Sequence, residues 1–359
     1  MAWVSRTYSN GKNAEGSRSD QSIVSIMTNW YGSGRQLLVK RHSKIVLRHL
    51  TFKKLGNISL NLLEYAFRKN NLKSAPVYLK IETTHYCHLK CPGCRHSSTK
   101  ETQMGFKDFK KIVDPFIDTL SGISFSHLGE PLWCCDLPKM MSYAHNNNIG
   151  TMFPSNLSIP ISDIYAEELI RSGLDLIMVS LDGTIKETYN GYRRGGNFEL
   201  VLENVKKLSD AKTRLDITYP DIQWKFTVFD HNKHEIDHVI KNYRYYGFDS
   251  YSIEHDRGNK KNITYKLRKS YENDRRRKHK ACFWPWNVMI VAWDGDVQPC
   301  CWTYKDHIKG YRTTIGNAIK NSSKDIWHGS NYSHFREGFN RHNYGARMYP
   351  VCKLCIGIE

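Results

Sequence analysis

From residue 76 onward, short β-rich apolar runs alternate with longer segments whose apolar residues recur at helical spacing. VYLKIET (77–83), ISFSHLG (123–129), IGTMFPS (149–155), LIMVSLD (176–182), IQWKFTVF (222–229) and DSYSIEH (249–255) read as strands. FKDFKKIVDPFIDTL, LPKMMSYAHNN, SDIYAEELIRSG, FELVLENVKKLSDA and KHEIDHVIKNYRYYG read as the helices between them. Parallel neighbours need a crossover of this kind, so six βα units in succession predict an α/β fold with a parallel sheet, open or curled toward a barrel. Reactive residues then belong in loops at the carboxyl ends of strands.

The flanks are patterned differently. Residues 1 to about 40 are polar and rich in Gly, Ser and Asn, and LLVKRHSKIVLRHL and NLLEYAFRKNNLK read as one or two lead-in helices, so residues 1–75 form an arm before the repeat region at 76–256. Residues 257–281 are a basic connector, with eleven Lys or Arg and two acidic residues between Arg257 and Lys280. Residues 282–359 are dense in Cys, Trp and turns. WDGD between two β-rich runs predicts a hairpin in a small α+β domain that needs a metal centre to hold it.

Composition narrows the partners. A net charge of +18, from 53 basic and 35 acidic residues, draws anions. A nucleic-acid partner is disfavoured because no helix-turn-helix, zinc-finger or RNA-binding signature accompanies the charge, and a solvated connector carries it equally well. No apolar run reaches eighteen residues and the first twenty lack a signal-peptide core, so the expectation is a cytoplasmic protein with no membrane partner. The ten cysteines cluster as 87/91/94, 134/135, 282, 300/301 and 352/355, which argues for metal rather than disulfides.

The stretch His85-Tyr-Cys-His-Leu-Lys-Cys-Pro-Gly-Cys-Arg-His96 follows the first strand and carries three thiols, Cys87, Cys91 and Cys94. Zinc would need a fourth ligand, for which His85, His88 and His96 are available. An iron–sulfur cubane on three cysteines instead keeps one iron open.

This C-x3-C-x2-C loop after the first strand of a βα-repeat domain resembles the signature of the radical S-adenosylmethionine enzymes. The resemblance implies a partial (β/α)6 TIM-like barrel and a [4Fe–4S] cluster whose open iron is chelated by S-adenosylmethionine. The reduced cluster then cleaves the cofactor to a 5′-deoxyadenosyl radical that abstracts hydrogen. It also implies an electron donor such as flavodoxin or ferredoxin. Gly129-Glu130-Pro131 resembles the segment that receives the methionine amino group, and Ser180 and Asp182 resemble polar positions near the cofactor's ribose and carboxylate. Arg193, Gln223, Lys225 and Asn232 are further pocket candidates, although alternation alone makes Gln223 and Lys225 neighbours on one strand face. The chain departs from the family pattern at Gly93, where an aromatic often stands near adenine, and at Ser155-Asn156-Leu157, where the third strand often ends in Asn-Gly.

The second cysteine set, Cys282, Cys300, Cys352 and Cys355, could bind zinc or a cluster on spacing alone. With DGDVQPCC, IGN, DIW and FR, it resembles the SPASM or shorter twitch domain, which implies a fully ligated auxiliary [4Fe–4S] cluster serving electron transfer. Cys301, Cys134 and Cys135 are candidate hydrogen donors, with inert buried thiols as the plain alternative. The expected function is therefore that of an oxidoreductase or epimerase acting on a small polar substrate, sugar-like or phosphorylated. The alternatives are modification of a ribosomally made peptide and a non-catalytic metal protein that binds nucleic acid.

Overall fold

In the computed structural model, residues 43–94, 102–255, 282–300 and 313–339 are described. The basic connector and the cysteines 301, 352 and 355 lie outside them. The chain divides into two compact units, Met1–Leu47 with Glu359, and Arg48–Ile358; the architecture below is that of the second.

One nine-stranded sheet organises this unit, in the order β6-β5-β4-β3-β2-β1-β7-β8-β9. Strands β1 (Tyr78–Ile81), β2 (Gly122–Ser124), β3 (Gly150–Ser155), β4 (Leu176–Ser180), β5 (Asp221–Val228) and β6 (Ser250–His255) are all parallel, each beside its sequence neighbour. The expected βα succession is therefore present, with helices α1 (Phe52–Ala66), α2 (Phe106–Val113), α3 (Leu137–Asn146), α4 (Asp163–Arg171), α5 (Lys186–Tyr192), α6 (Phe198–Leu215) and α7 (Ile236–Asn242). The short α5 was not expected from the pattern. Local sequence sets the helix ends: Ser162 and Asn197 accept backbone N–H bonds at the starts of α4 and α6, and Asp216 in the left-handed region stops α6.

The register separates two faces. Leu79, Ile123, Phe153, Ile177, Val179, Ile222, Trp224 and Phe226 point outward into the helix layer and are buried. On the other face Lys80 sits beside Ser124, and Ser180, Lys225 and Ser252 lie side by side. An apolar outer face and a polar inner face suit a partial barrel whose lumen receives a polar ligand.

The chain after the connector extends the same sheet. Strand β7 (Val288–Val291) pairs in parallel with β1, then turns through Gly295, at φ +86°, into antiparallel β8 (Asp296–Gln298), which pairs with β9 (Gly316–Asn317). Two helices follow, α8 (Ser323–His328) and α9 (Ser330–Glu337). The IGN, DIW and FR residues hold this part in place. Asn317 donates to Asp294 O and Asp296 Oδ1, and Trp327 Nε1 to Ser74 O. Fully buried Arg336 donates to the carbonyls of Pro285, Asn70 and Trp327.

Candidate active site at the cysteine loop

The loop that follows β1 is anchored from outside by two backbone bonds and tightened by one within it. Glu130 N–H donates to Tyr86 O at 2.8 Å, Lys90 N–H to Arg194 O at 2.8 Å, and Cys94 N–H to Cys91 O at 3.0 Å. His85 Nδ1 lies 2.5 Å from Glu82 Oε1, and Trp133 Nε1 donates to His88 Nδ1 at 3.3 Å. One nitrogen of each histidine proposed as a fourth zinc ligand in this loop is thus already engaged; His96 lies outside the described residues.

Cys87 is half-buried, Cys91 buried and Cys94 exposed. Burial pushes the Cys87 thiol up to about 12, and raises Cys91 against the opposing pull of Arg193. A metal centre reverses such a penalty by holding the sulfur as thiolate. Donors already face these sulfurs: Asn156 Nδ2 is 3.8 Å from Cys87 Sγ and Arg193 Nη1 is 4.0 Å from Cys91 Sγ. Among the described residues, no three His, Cys, Asp or Glu side chains converge tightly enough for a single metal ion. A cubane spreads its thiolates over a larger body than one ion does.

Arg193 is aimed by its neighbours. Its Nε and Nη2 donate to Asp182 Oδ2 at 2.7 and 2.6 Å, and Asp182 Oδ1 accepts the Thr227 N–H at 2.7 Å. Burial alone would lower the guanidinium, but Asp182 and Cys91 raise it overall, so it stays cationic. Asn232 closes the net, donating to Asp182 O and Thr227 O while accepting from Phe229 N–H. Asp182, Arg193 and Asn232 therefore form one assembly whose outward product is a cation beside Cys91.

Gly129 adopts φ +74°, and a Cβ there would lie 2.2 Å from Thr84 O, so only glycine lets this loop approach the cysteine loop. Glu130 is fully buried; its carboxylate accepts from Ser155 Oγ and Asn156 N–H, both at 2.7 Å, and from Leu132 N–H at 3.4 Å. Burial raises it to about 7 despite these donors. The side chain of Glu130 thus ties Gly129-Glu130-Pro131 to the end of β3. Ser155 and Asn156, noted in the sequence only as a departure, are the other half of that tie. Gly93 has a counterpart too: a Cβ there would meet Tyr192 Oη at 2.6 Å, and the Tyr192 ring stacks on Phe229 at 4.0 Å. Tyr192 thus occupies the space that a side chain at position 93 would need.

The lumen face holds Ser180, Gln223 and Lys225 together, with Lys225 Nζ 3.5 Å from Glu254 Oε2 and Gln223 Nε2 donating to Ser250 Oγ. Lys80, Glu254, His127 and Gln298 were not singled out from the sequence. His127, two residues before Gly129, bonds Gln298 of β8 at 2.8 Å, which joins the barrel mouth to the auxiliary hairpin. Strand alternation identifies Lys80 and Glu254, but nothing local predicts that β7 lies beside β1. Cys134 is buried with its thiol directed at Met104 O, and Cys135 lies in an outer recess with Lys139, Glu168 and Arg171. Of the auxiliary set, Cys282 is half-buried and Cys300 buried.

A profile of the SPASM iron–sulfur cluster-binding domain matches residues 282–356. The tungsten-containing aldehyde ferredoxin oxidoreductase cofactor-modifying protein of Pyrococcus furiosus is 24% identical over 315 residues, covering 77% of this chain and 86% of that protein. Mycofactocin maturase MftC of Mycolicibacterium smegmatis is 28% identical over 145 residues, covering 38% of this chain and 35% of the maturase. Streptococcus suis SuiB bound to S-adenosylmethionine superposes with a TM-score of 0.61 at 16% identity, covering 95% of this chain and 82% of SuiB. The chain carries a SPASM iron–sulfur cluster-binding domain and has the fold of SuiB. SuiB is solved with S-adenosylmethionine bound, and the matching profile is that of an iron–sulfur cluster-binding domain. The donor set after β1 fits such a cluster: three thiols on one loop, with an amide and a guanidinium facing two of the sulfurs. Among the described residues, no helix is long and apolar enough to cross a membrane.

Proposed function

We propose that this chain is a radical S-adenosylmethionine enzyme that takes a hydrogen atom from a small, polar, anionic substrate, sugar-like or phosphorylated, and so initiates its dehydrogenation or epimerisation. The observation that carries the reading is the lumen face, where Lys80, Ser124, Gln223, Lys225, Ser252 and Glu254 lie on one side of β1, β2, β5 and β6. Two lysines above a half-barrel favour a negatively charged group, and the serines and glutamine suit hydroxyls. When bound, the cluster on Cys87, Cys91 and Cys94 and its S-adenosylmethionine supply one-electron cleavage that yields a hydrogen-abstracting carbon radical.

The chain's own groups do the rest. The carbonyls of Gly129-Glu130-Pro131, fixed by the Glu130 tie to β3, accept the methionine ammonium. Ser180 contacts the cofactor, and Asp182 acts through Arg193 and the backbone rather than by direct contact. Lys225 orients the substrate anion, and Glu254, 3.5 Å away, is placed to accept a hydroxyl proton from it. Cys282, Cys300, Cys352 and Cys355 would hold the auxiliary cluster, which would supply electron uptake. Of the candidate thiols for the epimerisation outcome, Cys134, in the core with its thiol on Met104 O, and Cys135, in the outer recess, face away from the lumen, which leaves Cys301, outside the described residues. A flavodoxin or ferredoxin supplies the reducing electron.

The test is anaerobic 5′-deoxyadenosine formation with panels of phosphorylated sugars and polyols. Stimulation above the substrate-free rate, lost in Lys225→Met with cofactor binding kept, supports the reading. A second reading, peptide modification, draws on the same fold in SuiB bound to its precursor peptide SuiA, at a TM-score of 0.59. Stimulation by peptides alone, with no turnover of any small anion, would replace the first reading by the second.

A further inference from the structure

Helix α1 is inside out. Its buried residues are Lys54, Asn57, Asn61, Glu64 and Tyr65, four of them polar. Each polar side chain has work there. Lys54 donates to Asn148 O; Asn57 donates to Ala75 O and Thr119 O; Asn61 donates to Ser74 Oγ and Trp286 O; Glu64 accepts from the backbone of Lys73 and Ser74. The opposite face carries the hydrophobic residues into solvent: Phe52 is 95% exposed, Leu63 56%, Leu55 47%, and Phe67 just past the helix 74%. With Leu60 these present on the order of 500 Å² of apolar surface, at the upper end of what a free monomer shows.

Charge indicates what covers it. Between Arg48 and Lys73 there are six basic residues and one acidic one; Lys54 and Glu64 are turned inward, and Arg48 and Lys53 pair with Asp175 and Asp118. Lys53 is exposed at the start of the helix, and Lys69 and Lys73 are exposed in the segment that follows its end. A second copy would set two basic rims against each other in a chain of net charge +18, whereas anionic headgroups neutralise such a rim. We infer that the outward face of α1 is an interfacial docking surface for a membrane containing anionic lipid, with Phe52, Leu55, Leu63 and Phe67 entering the acyl boundary. This departs from the expectation of no membrane partner. It requires no spanning helix, because an amphipathic helix lies in the plane of the interface.

The bonds from α1 reach Ala75, Thr119 and Asn148, just ahead of β1, β2 and β3, at the opposite end of the barrel from the cysteine loop. Docking therefore localises the enzyme and leaves the barrel mouth facing away from the bilayer.

Flotation of the full chain tests this, using vesicles of phosphatidylcholine with about 30 mol % phosphatidylserine against phosphatidylcholine alone. The full chain is expected to float with the anionic vesicles and at least about tenfold less with the neutral ones. The double variant Phe52→Ser/Phe67→Ser keeps every charge, including the connector's, and should lose at least about tenfold of the anionic binding with an unchanged melting curve. Failure to float with either vesicle, or equal flotation of the double variant, overturns the inference. So does a concentration-dependent dimer in sedimentation that the double variant abolishes, which would assign the face to a second copy.

Discussion

Asp182→Asn is the sharpest probe of the assembly behind Cys91. The wild-type carboxylate is fully buried, takes two bonds from Arg193 and one from the Thr227 backbone, and faces no solvent. Asparagine keeps the volume but removes the charge, leaving a guanidinium without its counter-ion. Removing one member of a buried pair costs about 3–5 kcal/mol, most of it the exposed penalty of the partner left behind. Arg193→Met strips the other member and should cost a similar amount. The double variant Asp182→Asn/Arg193→Met, which leaves no buried charge, should be more stable than the sum of the singles predicts by about 2–3 kcal/mol. Guanidinium unfolding of the reduced, metal-free chain reads this directly. With a slope of about 5 kcal/mol per M, the Asp182→Asn midpoint should fall by about 0.6–1 M. A fall below about 0.2 M, or simple additivity in the double variant, would refute the argument that Asp182 exists to hold Arg193.

Other consequences are equally direct. Gly129→Ala forces a Cβ onto Thr84 O and should abolish measurable S-adenosylmethionine binding by equilibrium dialysis while costing roughly 2 kcal/mol or more in unfolding free energy. Arg336→Lys cannot reach three carbonyls at once and should lower stability by about 2–4 kcal/mol, read in the same denaturation assay. Burial lowers Lys54 from 10.5 to about 8, so between those pH values the unfolded chain binds the proton that the folded one has released; stability should therefore rise with pH across that window, and the rise should be missing in Lys54→Met. Cys87→Ala should remove about four irons per chain by metal analysis and leave the auxiliary set loaded.

The βα succession could be read from the sequence because each strand is a short β-branched or aromatic run and each crossover has a helical period. The cysteine loop, Gly129 and Ser180 were visible because spacing and strand ends mark them. What stayed hidden depends on contacts between distant segments. Nothing in VMIV says that it pairs with YLKI rather than closing a separate domain, so the His127–Gln298 bond was not foreseeable. Gly93 read as a missing aromatic until Tyr192, about a hundred positions on, was seen to fill the space. Asp182, Asn232 and Glu130 have the residue types of ligands, yet their side chains are consumed in holding loops together. Residue type reports capacity for a bond but not its partner. The inverted amphipathicity of α1 was likewise invisible, since a helical period gives an apolar face without saying which way it points.

The central claim is that the three thiols after β1 hold a redox-active cluster that S-adenosylmethionine engages. The most direct measurement is electron paramagnetic resonance of the anaerobically reconstituted, dithionite-reduced protein, before and after adding S-adenosylmethionine, with iron and 5′-deoxyadenosine quantified on the same sample. About eight irons per chain, a signal altered by the cofactor and lost in Cys91→Ala, and 5′-deoxyadenosine formation are predicted. A colourless zinc protein, or a cluster signal indifferent to S-adenosylmethionine with no 5′-deoxyadenosine, would contradict the account.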